Sequence, residues 1–135
     1  MIDRLDHEIG RRQTALNLRA YRQELLASNI ANADTPHYKA KDVDFKTALG
    51  NVMAGNNPGS IALARTAAGH QSGQGQGPFE SQAQYRAEYQ GAVDGNTVNI
   101  DVERSAFAEN SIQMEALITF IKGSLRDMQT AIQGQ

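Results

Sequence analysis

Residues 107–132 read FAENSIQMEALITFIKGSLRDMQTAI, and the fold class turns on where their apolar side chains fall. Phe107, Met114, Ile118, Ile121, Leu125, Met128 and Ile132 follow one another in steps of seven, four, three, four, three and four. This is a heptad seam sustained over several turns and interrupted only at Ser111, the spacing of a helix that packs along another helix. Leu117 and Phe120 widen its face. The spacing predicts a helix from about Asp101 to Ile132.

The other end of the chain answers it. Ile2, Leu5, Ile9 and Leu16, then Ala20, Ala27 and Ile30, recur at helical spacing, with Leu18 and Leu25 as a second stripe beside them. The pattern predicts an amphipathic helix from about Asp3 to Ala31, roughly 40–45 Å long. It stops there because Pro36 disfavours the α region for Thr35, and because Asn32 and Asp34 favour turns. Arg4, Arg11 and Arg22 share one side of this helix. They form either a solvated face with Asp3, Asp6, Glu8 and Glu24, or a groove for acidic side chains of a neighbour.

Between the helices the signals are weaker. Tyr38 to Phe45 reads as extended with a change of phase, Tyr38 and Ala40 on one parity and Val43 and Phe45 on the other. Phe45, Ala48, Leu49, Val52 and Met53 mark a short helix with Asp44 as its N-cap. Residues 50–78 hold seven of the twelve glycines and two of the three prolines, so they are expected to be mobile, with Ile61, Ala62 and Leu63 as an apolar island. Tyr85, Ala87 and Tyr89 alternate with polar residues, Asp94-Gly95-Asn96 is a turn signal, and Val98, Ile100 and Val102 alternate again, which predicts a β-hairpin. The expected fold is mainly α. Residues 1–35 and 97–135 form an antiparallel coiled-coil core, and residues 36–96 form an extended region with a short helix, a hairpin and a flexible segment.

Composition removes most function classes. A chain of 135 residues is one domain, and thirteen basic against fifteen acidic residues give −2, too balanced to indicate nucleic acid or an anionic membrane. There is no Cys, hence no disulfide, thiolate metal site or Cys nucleophile. The charged N-terminus lacks the apolar stretch of a cleavable signal peptide. The best apolar run, Ala116 to Ile121, is short and broken by Thr119, so no membrane helix or direct lipid anchoring is expected. His7, His37 and His70 have no ligand spacing. Asp42 and Asp44 are a lone pair of carboxylates better suited to turns and caps. No phosphate loop or catalytic motif is present, and eight aromatics with no Trp make a poor base-stacking platform. Neither an enzyme nor a cofactor is expected.

Two helices cover one face of each other and little more, so apolar surface stays open until other helices meet it. The seam residues, with Leu5, Ile9, Leu16 and Ile30 on the first helix, are the expected assembly surfaces. Leu18, Leu25, Leu117 and Phe120 lie off the main seams and are candidate contacts between subunits. Alternatively they complete an intramolecular bundle with the short helix.

Two stretches also carry a resemblance. Ala15, Leu16, Asn17, Leu18 and Arg19, followed by Ser28, Asn29, Ile30, Ala31, Asn32, Ala33, Asp34, Thr35, Pro36 and Tyr38, resemble the N-terminal signature of bacterial flagellar axial proteins, most closely that of the proximal rod subunit. Asp94, Gly95, Asn96, Thr97 and Val98, then Asp101, Glu103, Arg104, Phe107, Ala108 and Asn110, resemble that subunit's C-terminal half. The resemblance spans residues 1–49 and about 92–133, with Leu63, Arg65, Thr66 and His70 matching loosely between them. One position departs: the family usually has Gly after the Pro, and here it is His37, which puts a φ > 0 turn in question.

The resemblance implies a structural subunit of the flagellar basal-body rod. It would stack through its terminal helices in the periplasm and leave the cytoplasm without a cleaved signal. Its implied partners are other rod subunits, the junction protein between the MS ring and the export gate, and the flagellar type III export apparatus. Phe45 and Leu49 look like the element by which such subunits engage the export gate. The same seam also suits a cytosolic helical adaptor or export chaperone that offers it to one partner helix.

Overall fold

The computed structural model describes residues 2–54, 79, 82–86 and 93–134, the side chains of residues 2–6 excepted. Among these residues three helices and two short strands follow in the order α1 (Ile2–Ala31), β1 (Lys41–Val43), α2 (Phe45–Met53), β2 (Ala83–Tyr85) and α3 (Ile100–Gln133). The two long helices lie antiparallel. Asn29 of α1 meets Glu103 at the start of α3, Arg19 and Gln23 meet Asn110, and Ile9 and Leu16 share a groove with Ile121 and Met128 further along.

The ends of each element have local causes. Asn99 caps α3 by accepting from the N–H groups of Asp101 and Val102, and Asp101 and Glu103 place negative charge in its first turn. Asp44 caps α2, accepting from the Lys46 N–H and from the Thr47 hydroxyl. The chain leaves α1 through a turn in which His37 adopts φ 61. A left-handed turn therefore forms here on a histidine.

The pairing of the strands is not the one expected. Lys41–Val43 pairs antiparallel with Ala83–Tyr85, Lys41 opposite Tyr85, whereas Val98–Val102 leads into α3. The Asn99 cap is the reason, since it satisfies amide donors that a second hairpin strand would have used. Residues 87–89 lie outside the described residues, as do 55–78 with Ile61 and Leu63, while residues 50–53 complete α2. The change of phase at Tyr38–Phe45 marks a change of partner. Tyr38 and Ala40 bond to Thr97, and residues 41–43 then pair with β2.

The apolar core is small and lies under α2. Leu18, Val43 and Ala48 are buried there, with Tyr21, Leu25, Phe45, Leu49, Phe79 and Ala83 packed around them. Leu18 is thus no free contact for a neighbour, and Leu25 packs beside it. Both complete an intramolecular bundle with the short helix. The buried stripe of α1 runs through Ala15, Leu18, Leu26 and Asn29, with Arg22 half-buried along it. Ala20 and Ala27, placed on the seam by spacing, are exposed. Two of the stripe's members are polar, and their side chains hid its phase.

Candidate functional site

The seam of α3 carries two kinds of contact. Buried or half-buried residues recur at Glu103, Phe107, Asn110, Met114, Leu117, Ile121, Ser124 and Met128, an unbroken alternation of fours and threes. The two deepest, Glu103 and Asn110, are polar. Leu117 therefore belongs to the heptad grid, and Ile118 is half-buried beside it. Leu125 and Ile132 stand half or more exposed, as do Phe120 at 70 % and Ile112 at 68 %.

The polar half is a joint built from three asparagines. Asn29 behaves like a strand partner for Lys41: its amide nitrogen donates to the Lys41 carbonyl at 2.7 Å, and its oxygen accepts from the Lys41 N–H at 3.1 Å. The same oxygen accepts from the Tyr38 hydroxyl, and the nitrogen also donates to Glu103. Asn96 donates to the carbonyls of Asn32, Ala33 and Thr35 at 2.7–3.1 Å. It thereby ties the turn that follows α1 to the far side of the chain. Asn110 donates to the Arg19 carbonyl and to Gln23, and accepts from the Arg19 guanidinium. Gln23 in turn donates to Ser111, so the residue that interrupts the apolar heptad is a polar contact with α1.

Charged groups surround these amides. Arg22 holds Asp42 through Nε at 2.8 Å and Nη2 at 3.1 Å. Arg86 bonds both Asp42 and Glu103. Burial opposes ionisation of Asp42, but the bonds from Arg22, Arg86 and the Val43 N–H outweigh it and hold its carboxyl below the usual range. Arg19 stacks on the Phe45 ring at 3.6 Å. Burial, and then the neighbouring charge of Arg22, lower its pKa.

These bonds leave Asp42 and Asp44 in structural roles. Asp42 is taken by two guanidiniums and Asp44 by the α2 cap. Among the described residues no group of His, Asp and Glu could hold a metal ion.

The two family-like motifs meet physically. The His37 N–H donates to the Asp94 carbonyl at 3.1 Å. Gly95, at φ 73, lies so close to the His37 ring that a Cβ there would stand 2.9 Å from Nδ1. Ser28 and Tyr38 share a hydrogen bond at 3.2 Å, Thr35 donates to Asn32, and Val98 donates to the Asn96 side chain. Asp34 and Pro36 are exposed within the turn. Residues 28–38 and 94–98 are two halves of one joint.

The apolar half lies at the other end of the helix pair. Ile9, Leu16, Ile121, Leu125 and Met128 line a groove of about 200 Å³ between α1 and α3. A wider concavity of about 750 Å³ on α3 runs past Leu117, Phe120, Gly123 and Ala131. Ile30 is half-buried, and the side chain of Leu5 lies outside the described residues. Phe45 and Leu49 are both packed on the core under Leu18.

Comparison with known proteins now adds names. The family described as flagella basal body rod protein matches residues 12–39, the stretch from mid-α1 through the His37 turn. The chain is 43 % identical to the flagellar basal body rod protein FlgB of Escherichia coli K12, over 98 % of both chains. It is 43 % identical to FlgB of Salmonella typhimurium LT2 over 99 % of both. The chain belongs to the FlgB family of flagellar basal body rod proteins. FlgB of Buchnera aphidicola, 37 % identical, aligns along its whole length with 99 % of the chain, so the family likeness includes the residues between the two motifs.

The bonds that the motif positions make are not legible in their residue types. Arg22, Asp42, Arg86 and Glu103 form one network that no periodicity announces. Leu26, fully buried on α1, was outside both apolar stripes. The usable signal was the 3–4 spacing of α3 itself, had Glu103 and Asn110 been allowed as seam positions.

Proposed function

We propose that the chain is a structural subunit of the bacterial flagellar basal-body rod, assembling with its own copies and with other rod subunits through α1 and α3. The observation that carries this is full-length identity to FlgB proteins. It is supported by apolar side chains that one pair of helices leaves uncovered, Phe120, Leu125, Ile132 and Ile112 among them. The chain works by holding shape, as a rod protein does, and not as an enzyme. A cytosolic adaptor or export chaperone is not favoured by relatives that carry the rod name.

In the finer reading the subunit stands in the proximal, periplasmic part of the rod, beside the junction between the MS ring and the export gate. It reaches that place through the flagellar type III apparatus without a cleaved signal. Phe45 and Leu49 serve export while the chain is unfolded and packing once it is folded. Both are engaged with the core in the folded state, so recognition of them by an export gate precedes folding.

The test is Ile121→Asp, which sets a charge beside the half-buried groove. Export into the periplasm is expected to continue while rod assembly and swimming fail. Normal incorporation into isolated basal bodies would show that the seam is not an interface. Deletion of the gene with swimming intact would refute the rod reading itself.

A further inference from the structure

Four charged side chains from four stretches of chain form one row of ion pairs at the joint. Arg22 comes from α1, Asp42 from β1, Arg86 from the residue after β2, and Glu103 from α3. Asp42 joins two guanidiniums and Arg86 joins two carboxylates, so the row is neutral while both acids are ionised. Its side chains are about one-fifth exposed or less, Glu103 only 1 %.

The groups facing it come from every packed element. Arg19 lies beside Arg22 on α1, Lys41 on β1 reaches over the Tyr85 ring, Asp44 and Lys46 stand at the start of α2, and Glu109 projects from α3. All but Lys41 line one polar cleft of about 490 Å³ with Arg22, Asp42 and Arg86. Three guanidiniums thus share this cleft, and Asp42 is the carboxylate that keeps two of them apart.

We propose that this row of ion pairs is an acid-released latch: a proton on Asp42 leaves Arg22 without its carboxylate and Arg86 with Glu103 alone, and the β1–β2 ribbon loosens from the helix pair. The far end of the pair does not follow, because no carboxylate among the described side chains lines the groove of Ile9, Leu16, Ile121, Leu125 and Met128. The amide bonds of Asn110 to α1 do not titrate either.

The direction of the pH effect follows from the paired state of Asp42. Its carboxyl is held below the ordinary value when folded, so its contribution is complete above about pH 4 and is lost as pH falls through the lowered value. Between the two values the ribbon's opening constant rises about tenfold for each pH unit.

The experiment is a ¹⁵N NMR titration of the full chain from about pH 7 to about pH 2.5. It compares amides of Lys41–Val43 and Ala83–Tyr85 with those of Leu16, Ile121 and Met128. The ribbon signals are expected to go first, below about pH 4, with the helix signals retained. Asp42→Asn is expected to show an open ribbon already at neutral pH, with no further acid step. Glu109→Gln, which removes an exposed carboxylate from the same cleft, is expected to titrate as the wild type does. Simultaneous loss of ribbon and helix signals overturns the latch. So does an unchanged acid step in Asp42→Asn, or its disappearance in Glu109→Gln. An Asp42→Asn chain that fails to fold leaves the wild-type order of loss and the Glu109→Gln titration to decide.

Discussion

The two ends of the helix pair are held by opposite means. Where α1 ends and α3 begins, the contacts are amides and ion pairs: Asn29, Asn96 and Asn110 are buried, and Glu103 is nearly inaccessible. Toward the other end, Ile9, Leu16, Ile121 and Met128 make a shallow apolar groove, and Leu125, Phe120 and Ile132 remain open to solvent. Hydrogen bonds are directional and expensive to leave unmade when buried, so the polar end sets register within one chain. Apolar contact is tolerant of partner, so the apolar end can accept a helix from elsewhere. The molecule sets its own register at the polar end and leaves apolar side chains open at the other.

Mutations at the two ends should therefore differ in kind, and four of them rank the contrast. Glu103→Ala strips an acceptor from both Arg86 and Asn29, and breaking a buried charged contact costs about 3–5 kcal/mol. Urea unfolding of the isolated chain is expected to show a loss of that size, and a loss under about 1 kcal/mol would mean that the polar end does not set the fold. Leu18→Ala empties part of the core beneath α2 and is expected to cost about 3 kcal/mol in the same assay. Because that site lies inside one subunit, the loss should be the same at every protein concentration.

Gly95→Ala forces a side chain into left-handed backbone against His37, and a cost of about 1–2 kcal/mol is expected. Pairing it with His37→Gly should recover the steric part of that loss, which a double-mutant cycle would measure. Phe120→Ser, at the apolar end, is expected to change monomer stability by less than about 0.5 kcal/mol yet to reduce swimming in soft agar. A variant that swims normally would remove Phe120 from the assembly surface.

The same division explains what could be read from the sequence. Helix spans were legible to within a residue or two, because Pro36, Asn32 and the 3–4 spacing of Met114 to Met128 are local signals. Asp44 as the cap of α2 was legible for the same reason. The phase of the buried stripe was not, because Arg22, Asn29, Glu103 and Asn110 carry side chains that ordinarily face water. A pattern built on apolar residues alone slid one position over, to Leu16, Ala20 and Ala27. The pairing of β1 with β2 was also hidden, since it joins residues about forty positions apart and each strand has only three residues. Its anchor, Arg86, resembles any solvated arginine until Asp42 and Glu103 are beside it.

Asn96 joins α1 across 61 to 64 residues, Asn29 reaches Glu103 across 74, and Arg19 reaches Asn110 across 91. Contacts within the first half are much nearer: Asn29 to Lys41 spans 12 residues and Arg22 to Asp42 spans 20. Closing a long loop costs more entropy than closing a short one, and it must be closed before its bonds form. The geometry of the joint therefore predicts an order of folding. Helix α1, the first strand and α2 are expected to gather early and α3 to dock last, as the piece that completes the subunit.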